Sequence, residues 1–247
     1  MIVLAGLVAG LFAADIVTPV AALPPGFVHL YDTVPDIIAD MRYAGAHNFT
    51  GQPVPGYEAP VCIVTDKTAD ALRRANAALE PHGYKLMVFD CYRPARAVAA
   101  FVAWAEGPDE TAKAEFYPRV PKSELFQRGY IAAHSRHSAG STVDLTLVHS
   151  DQLAGLAFEP GAPYIDCTAP YGTRFNDGAL DMGTGYDCFD DRAHGDSAAV
   201  SAEAQANRKL LRDTMIAAGF RPYAEEWWHF TLADEPFPDE VFDFTVR

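Results

Sequence analysis

The sequence predicts an α+β fold, a single domain with a central, mostly antiparallel sheet flanked by helices, and three observations carry that expectation. At 247 residues, with 49% hydrophobic and 21% charged side chains, the chain can bury one full core without splitting. Apolar residues recur at helical spacing over about residues 67–81, 94–104 and 197–218. Between these lie short runs rich in β-branched and aromatic residues, at Val61–Val64, Lys85–Phe89, Thr142–Val148 and Glu226–Leu232.

At the N-terminus, Ile2–Ala14 is an apolar run of 13 residues, too short to cross a bilayer, and Val20-Ala21-Ala22 has the small-residue pattern of a cleavage site. Residues 1–22 therefore read as a signal peptide and 23–247 as the mature domain, periplasmic or secreted, with no stable membrane insertion. Asp15 and the lack of Lys or Arg ahead of the run leave an uncleaved anchor or a misassigned start as the alternative.

After Pro24-Pro25-Gly26, residues 27–42 have mixed spacing and give way to loop chemistry from Tyr43 to Gly51. Thr65-Asp66 caps a helix over about Lys67 to Pro81, with Ala71, Leu72, Ala75, Ala78 and Leu79 at helical spacing and His82-Gly83 as its stop. The strand Lys85–Phe89 should deliver Asp90–Arg93 to a surface rim, and Pro94 suits the first turn of the next helix, which runs through Val98, Phe101 and Trp104. Gly107–Arg128, broken by Pro108, Pro118 and Pro121, reads as a solvated connection. From about 149 to 196 the composition shifts to Gly, Pro, Asp and Tyr without helical period, a loop-rich insertion of the kind that forms lids or binding loops. Its aspartates lack the twelve-residue spacing of an EF-hand, which argues against calcium. Ser197 starts a long amphipathic helix whose buried stripe is Ala204, Leu210, Leu211, Met215 and Ile216, and Gly219 ends it.

The formal charge of −14 leaves no cationic cluster to displace phosphate counterions, so a nucleic acid or an anionic membrane is excluded as partner, while a small zwitterion remains compatible. Four cysteines allow three pairings, and none sits at zinc-finger spacing. Cys62 with Cys91 is favoured because adjacent strands would bring them together, and Cys167 with Cys188 because that bridge would staple the insertion. Such usage fits an exported chain.

The stretch from His134 to Val148 carries the chemistry. His137 offers an imidazole nitrogen and Asp144 a carboxylate oxygen, and the residues between them are small or β-branched, allowing a tight return. His229, in Glu226-Trp227-Trp228-His229, supplies a third donor. Three protein ligands and an open fourth position are the pattern of a catalytic Zn²⁺ site. On a strand, i and i+3 face opposite sides, so Glu226 and His229 reach one ion only if the backbone twists or bulges there. Arg93 can fork onto a carboxylate or a developing oxyanion, or simply pair with Asp90. Ser135 can brace the metal turn. His194 reads as a structural histidine or a support to the site.

Ser135-x-His137-x-x-Gly140-x-x-x-Asp144, Glu226-Trp-Trp-His229 and Asp90-Cys-Tyr-Arg93-Pro94 resemble, in order and spacing, the zinc D-alanyl-D-alanine dipeptidases, the group that includes the vancomycin-resistance dipeptidase, over about residues 28 to 247. The resemblance implies one Zn²⁺ per chain on His137, Asp144 and His229, Glu226 as general base, and Arg93 at the oxyanion. It also implies Tyr43 and Ser135 as substrate contacts and Asp187 as the partner of the substrate ammonium. D-alanyl-D-alanine is the implied substrate, in cell-wall dipeptide recycling or use. The rivals are a D,D- or L,D-carboxypeptidase acting on longer peptidoglycan stems and a non-catalytic zinc-stabilised wall-binding module.

Overall fold

The computed structural model describes residues 22–247, so the signal peptide expected over 1–22 lies, but for Ala22, outside the described residues. The elements in chain order are β1 (Phe27–His29), α1 (Leu30–Thr33), β2 (Ile38–Ala39), β3 (Ile63–Thr65), α2 (Asp66–Leu79), β4 (Tyr84–Asp90), α3 (Ala95–Glu106), α4 (Lys113–Phe116), β5 (Thr142–His149), α5 (Ala202–Ala217), β6 (Phe220–Tyr223) and β7 (Glu226–Leu232). A five-stranded sheet has the order β2-β4-β5-β7-β6, antiparallel except for the parallel β2–β4 edge, and β1 and β3 form a separate antiparallel pair. The expected α+β architecture is the one observed. No described helix is long and apolar enough to cross a membrane.

Local chemistry explains most boundaries. Thr65 caps α2 by accepting from the Thr68 N–H, and Gly83, at φ +77, closes the short turn behind it. Every residue of β5 from Thr142 to Val148 is buried, because the central strand is covered on both faces, so its alternation of polar and apolar residues does not mark an exposed face. One core joins β4, β5 and β7 to α2 and α5 through Leu72, Leu79, Val88, Leu145, Leu211 and Trp228. A second, aromatic core lies behind the site and includes Phe27, Tyr43, Phe49, Tyr92, Phe101 and Phe189.

Several expectations are corrected. The last long helix begins at Ala202, not Ser197, because it is Ser201 whose hydroxyl accepts from the Ala204 N–H. Ile216 is half exposed, and Arg208 is buried in its place, donating to the carbonyls of Met182, His194 and Arg192. Pro94 is the N-cap of α3 and not part of its first turn. The segment from 107 to 128 is only partly solvated, since Phe116, Tyr117 and Leu125 enter the aromatic core. Asp90 to Tyr92 are buried, so this is the wall of a pocket and not a surface rim. Both favoured disulfides are present, but β3 pairs with β1 and not with β4. Cys62 and Cys91 meet where the Tyr92 N–H reaches the Ile63 carbonyl at 2.9 Å.

Gly140 sets how the loop carrying His137 meets this core. It has φ +79, and a Cβ there would stand 2.2 Å from Phe27 Cε1. Phe27 has no room to yield, being packed against Tyr92, Phe242 and Phe244. Gly140→Ala combines left-handed strain with overpacking and is expected to cost roughly 2 to 4 kcal/mol. Chemical denaturation would measure it, and an unchanged midpoint would mean that the loop rearranges freely.

Candidate metal centre and substrate pocket

The centre is built across three neighbouring strands. The register pairs Asp90 on β4 with Asp144 on β5, and Asp144 with His229 on β7, so three polar side chains form one row across the sheet. His137 reaches the same point from the short 3-10 turn Arg136–Ala139, which Ser135 caps through a bond from the His137 N–H. His137 is fully buried, and its Nδ1–H donates to the Cys91 carbonyl at 2.8 Å, which leaves the Nε2 lone pair free to face the row.

His137 Nε2 lies 3.3 Å from Asp144 Oδ1, and His229 Nδ1 lies 3.1 Å from that same oxygen. The three donor atoms fall within 4.8 Å of one another. Asp144 Oδ1 is buried, yet no hydrogen bond of acceptable geometry reaches it. A buried carboxylate oxygen left without a partner is costly, and two imidazole nitrogens converging beside it make a donor set that fits a divalent cation with some preference for nitrogen. With no cation in place, burial opposes the imidazolium of His229, but the Asp144 and Glu226 carboxylates outweigh it and push its pKa up to about 9. A bound dication competes for the same lone pair and reverses this.

The bulge that the i, i+3 spacing required exists. Tyr223 pairs with Glu226 while Pro222 pairs with Phe230, so Trp227, Trp228 and His229 are extra residues relative to β6. Both tryptophans turn into the core, and Glu226 and His229 share one side, Glu226 Oε2 lying 3.3 Å from His229 Nδ1.

Arg93 pairs with Asp90 and extends the rest of its fork toward Ser135 and Asp144. Its Nε donates to Asp90 Oδ2 at 2.9 Å, its Nη1 to Ser135 Oγ at 3.4 Å, and its Nη2 stands 3.6 Å from Asp144. The guanidinium also lies over the rings of Tyr43 and Phe101. An ion pair thus aims the fork at the metal row. Asp187, which lines the same cavity, is buried and accepts from the Tyr43 hydroxyl at 2.8 Å. Burial, reinforced by the charge of Asp144, pushes its carboxyl well above the usual range, and a ligand cation would restore the ionised form. All these groups line or border a cavity of about 370 Å³.

The eight residues singled out from sequence, Tyr43, Arg93, Ser135, His137, Asp144, Asp187, Glu226 and His229, come together here. Three others were missed. Tyr186 donates to Asp144 Oδ2 at 3.0 Å, and Tyr57 donates to Asp90 Oδ1 at 2.7 Å. Asp90, considered only as a partner of Arg93, also lies 3.4 Å from His137 Nδ1. Tyr186 stood next to a chosen residue, whereas nothing in sequence marks Tyr57. His194 is not at the centre, and its carbonyl serves as an acceptor for Arg208.

Two imidazoles and a carboxylate converging in a pocket, flanked by a further carboxylate and an aimed arginine, define a metal-dependent hydrolase. The family model described as D-ala-D-ala dipeptidase matches residues 24–158 and 173–247. A D-alanyl-D-alanine dipeptidase of Streptomyces coelicolor is 40% identical over 223 residues, covering 89% of this chain and 98% of that protein. One of Enterococcus faecalis is 39% identical over 223 residues, covering 90% and 98%. A solved vancomycin resistance D,D-pentapeptidase in complex with Zn(II) aligns with TM-score 0.37 and 11% identity over 70% of this chain and 74% of that one, too slight a likeness to bear on the reading. The chain belongs to the D-Ala-D-Ala dipeptidase family and is a metallopeptidase.

Proposed function

We propose that this protein hydrolyses D-alanyl-D-alanine to D-alanine with one zinc ion per chain, and that it does so outside the cytoplasm in the recycling or use of cell-wall dipeptide. The observation that carries the reading is the buried Asp187–Tyr43 pair, which lines the same cavity of about 370 Å³ as Asp144, Glu226 and His229. A peptide long enough to fill that space and present an ammonium to Asp187 is a short one. The two disulfides support an oxidising compartment, and residues 23–247 would be the catalytic domain.

His137, Asp144 and His229 would hold the zinc, which supplies Lewis acidity that makes a water acidic near neutral pH. Glu226 takes the proton of the attacking water and delivers it to the leaving amine. Arg93, braced by Asp90, meets the negative charge that develops on the carbonyl oxygen. Tyr186 holds Asp144 in place, and Asp187 with Tyr43 and Ser135 orients the dipeptide. Exhaustive chelation is expected to remove zinc and turnover together, with both restored by stoichiometric Zn²⁺, as metal analysis and D-alanine release would record. Full turnover by metal-free protein would sink this reading.

A further inference from the structure

Tyr186 and Asp187, which join the metal row to the wall of the pocket, are gripped from both sides by a single residue. The Gly185 N–H donates to the Cys167 carbonyl at 2.8 Å, and the sulfur of Cys167 is bonded to Cys188. The residues just before and just after the pair are thus both tied to Cys167. That anchor is itself fixed, because its N–H reaches the Glu115 carbonyl at 3.1 Å and Arg119 bridges Asp166 to Asp190.

The pair needs such a grip. Asp187 has φ +55 and is the one non-glycine with positive φ among the described residues, a conformation that L side chains avoid unless their surroundings impose it. Cys167 falls in residues 159–172, the stretch between the two segments that the family model matches. The anchor therefore lies outside the segments that the family model matches, while Gly185 to Cys188 lie inside them.

We propose that Cys167 is a positioning residue for substrate recognition, its carbonyl and its bridge to Cys188 holding Asp187 where it receives the substrate ammonium. This rests on the reading of Asp187 given above. Without the grip the Asp187 backbone relaxes toward negative φ and carries the carboxylate off line. The metal donors stand on β5, β7 and the turn before β5, none of which the bridge spans, and Tyr186 keeps its own bond to Asp144, so the larger effect falls on binding and the smaller on chemistry.

The test is Cys167→Ala with Cys188→Ala in the zinc-loaded enzyme. KM for D-alanyl-D-alanine is expected to rise about tenfold, equivalent to about 1.4 kcal/mol, with kcat within about twofold and zinc content unchanged. The slow rate on the N-acetylated dipeptide, which has no ammonium to place, should not move. A fall of kcat and zinc together would overturn the proposal, making the bridge a general brace. Asp187→Asn, assayed in parallel, separates the two layers. If it leaves the preference for free over acetylated dipeptide intact, the reading of Asp187 fails. If it narrows that preference and the cysteine variant does not, the positioning role alone fails. Should the double variant not fold, Gly185→Pro removes the N–H bonded to Cys167 and keeps the bridge. It should raise KM about threefold with kcat held, and an unchanged KM there overturns the proposal.

Discussion

Glu226→Ala is expected to lower kcat roughly 10²- to 10⁴-fold while the protein keeps its zinc, whereas His137→Ala loses the metal itself. The difference follows from where the two side chains stand. Glu226 Oε2 is 3.3 Å from His229 Nδ1, at the edge of the converging donor set and not within it. Its removal leaves His137, Asp144 and His229 untouched, and the neighbouring Trp227 and Trp228 stay in the core. What disappears is the one carboxylate on the bulged strand that borders the cavity beside the donors. His137, by contrast, is buried and locked through Nδ1 to the Cys91 carbonyl, and its loss takes away one of the three converging donors. Metal content after dialysis, read together with single-turnover rates, distinguishes the two variants. If Glu226→Ala shed zinc as readily as His137→Ala, Glu226 would be a ligand and the roles would have to be exchanged.

How much of this was legible in the sequence depended on whether the information was local. His137 and Asp144 were legible because six small or β-branched residues between them link a turn to a strand. The composition of Glu226–Leu232 set the limits of β7, and the i, i+3 spacing of two site residues on a strand called for the bulge that the β6–β7 register contains. Cross-strand relations were not legible. The alignment of Asp90, Asp144 and His229 depends on register between distant segments, so Asp90 was read only as a partner for Arg93. Arg208 was absent from the buried stripe read for this helix because the three carbonyls that satisfy it come from the loop region, which leaves no trace in the helix's own period. The start of α5 was missed for a related reason. Ser197 and Ser201 can both cap, and only the fold decides that the Ser197 hydroxyl serves a turn at Ala199.

The free dipeptide is expected to react far faster than its N-acetylated form, by about 10²-fold or more in kcat/KM, and Asp187→Asn should narrow that gap. An ammonium entering the pocket meets Asp187, which is buried and already takes one hydrogen bond from Tyr43. Burial, reinforced by the charge of Asp144, pushes this carboxyl above the usual range, so an incoming ammonium should favour its ionised form, and the pair of opposite charges would form where water compensates neither partner alone. An acetyl cap removes the positive charge and adds bulk against the buried Asp187–Tyr43 pair, so it loses on both counts. A pentapeptide stem should fail for the same two reasons. Asparagine retains an acceptor for Tyr43 but cannot answer the ammonium, and the loss for the free dipeptide is expected to be roughly 1.5 to 3 kcal/mol. The blocked dipeptide never used that charge and should change little. The decisive measurement is kcat/KM for both substrates in the native enzyme. Comparable values would refute a dedicated dipeptidase and favour a carboxypeptidase that admits longer stems.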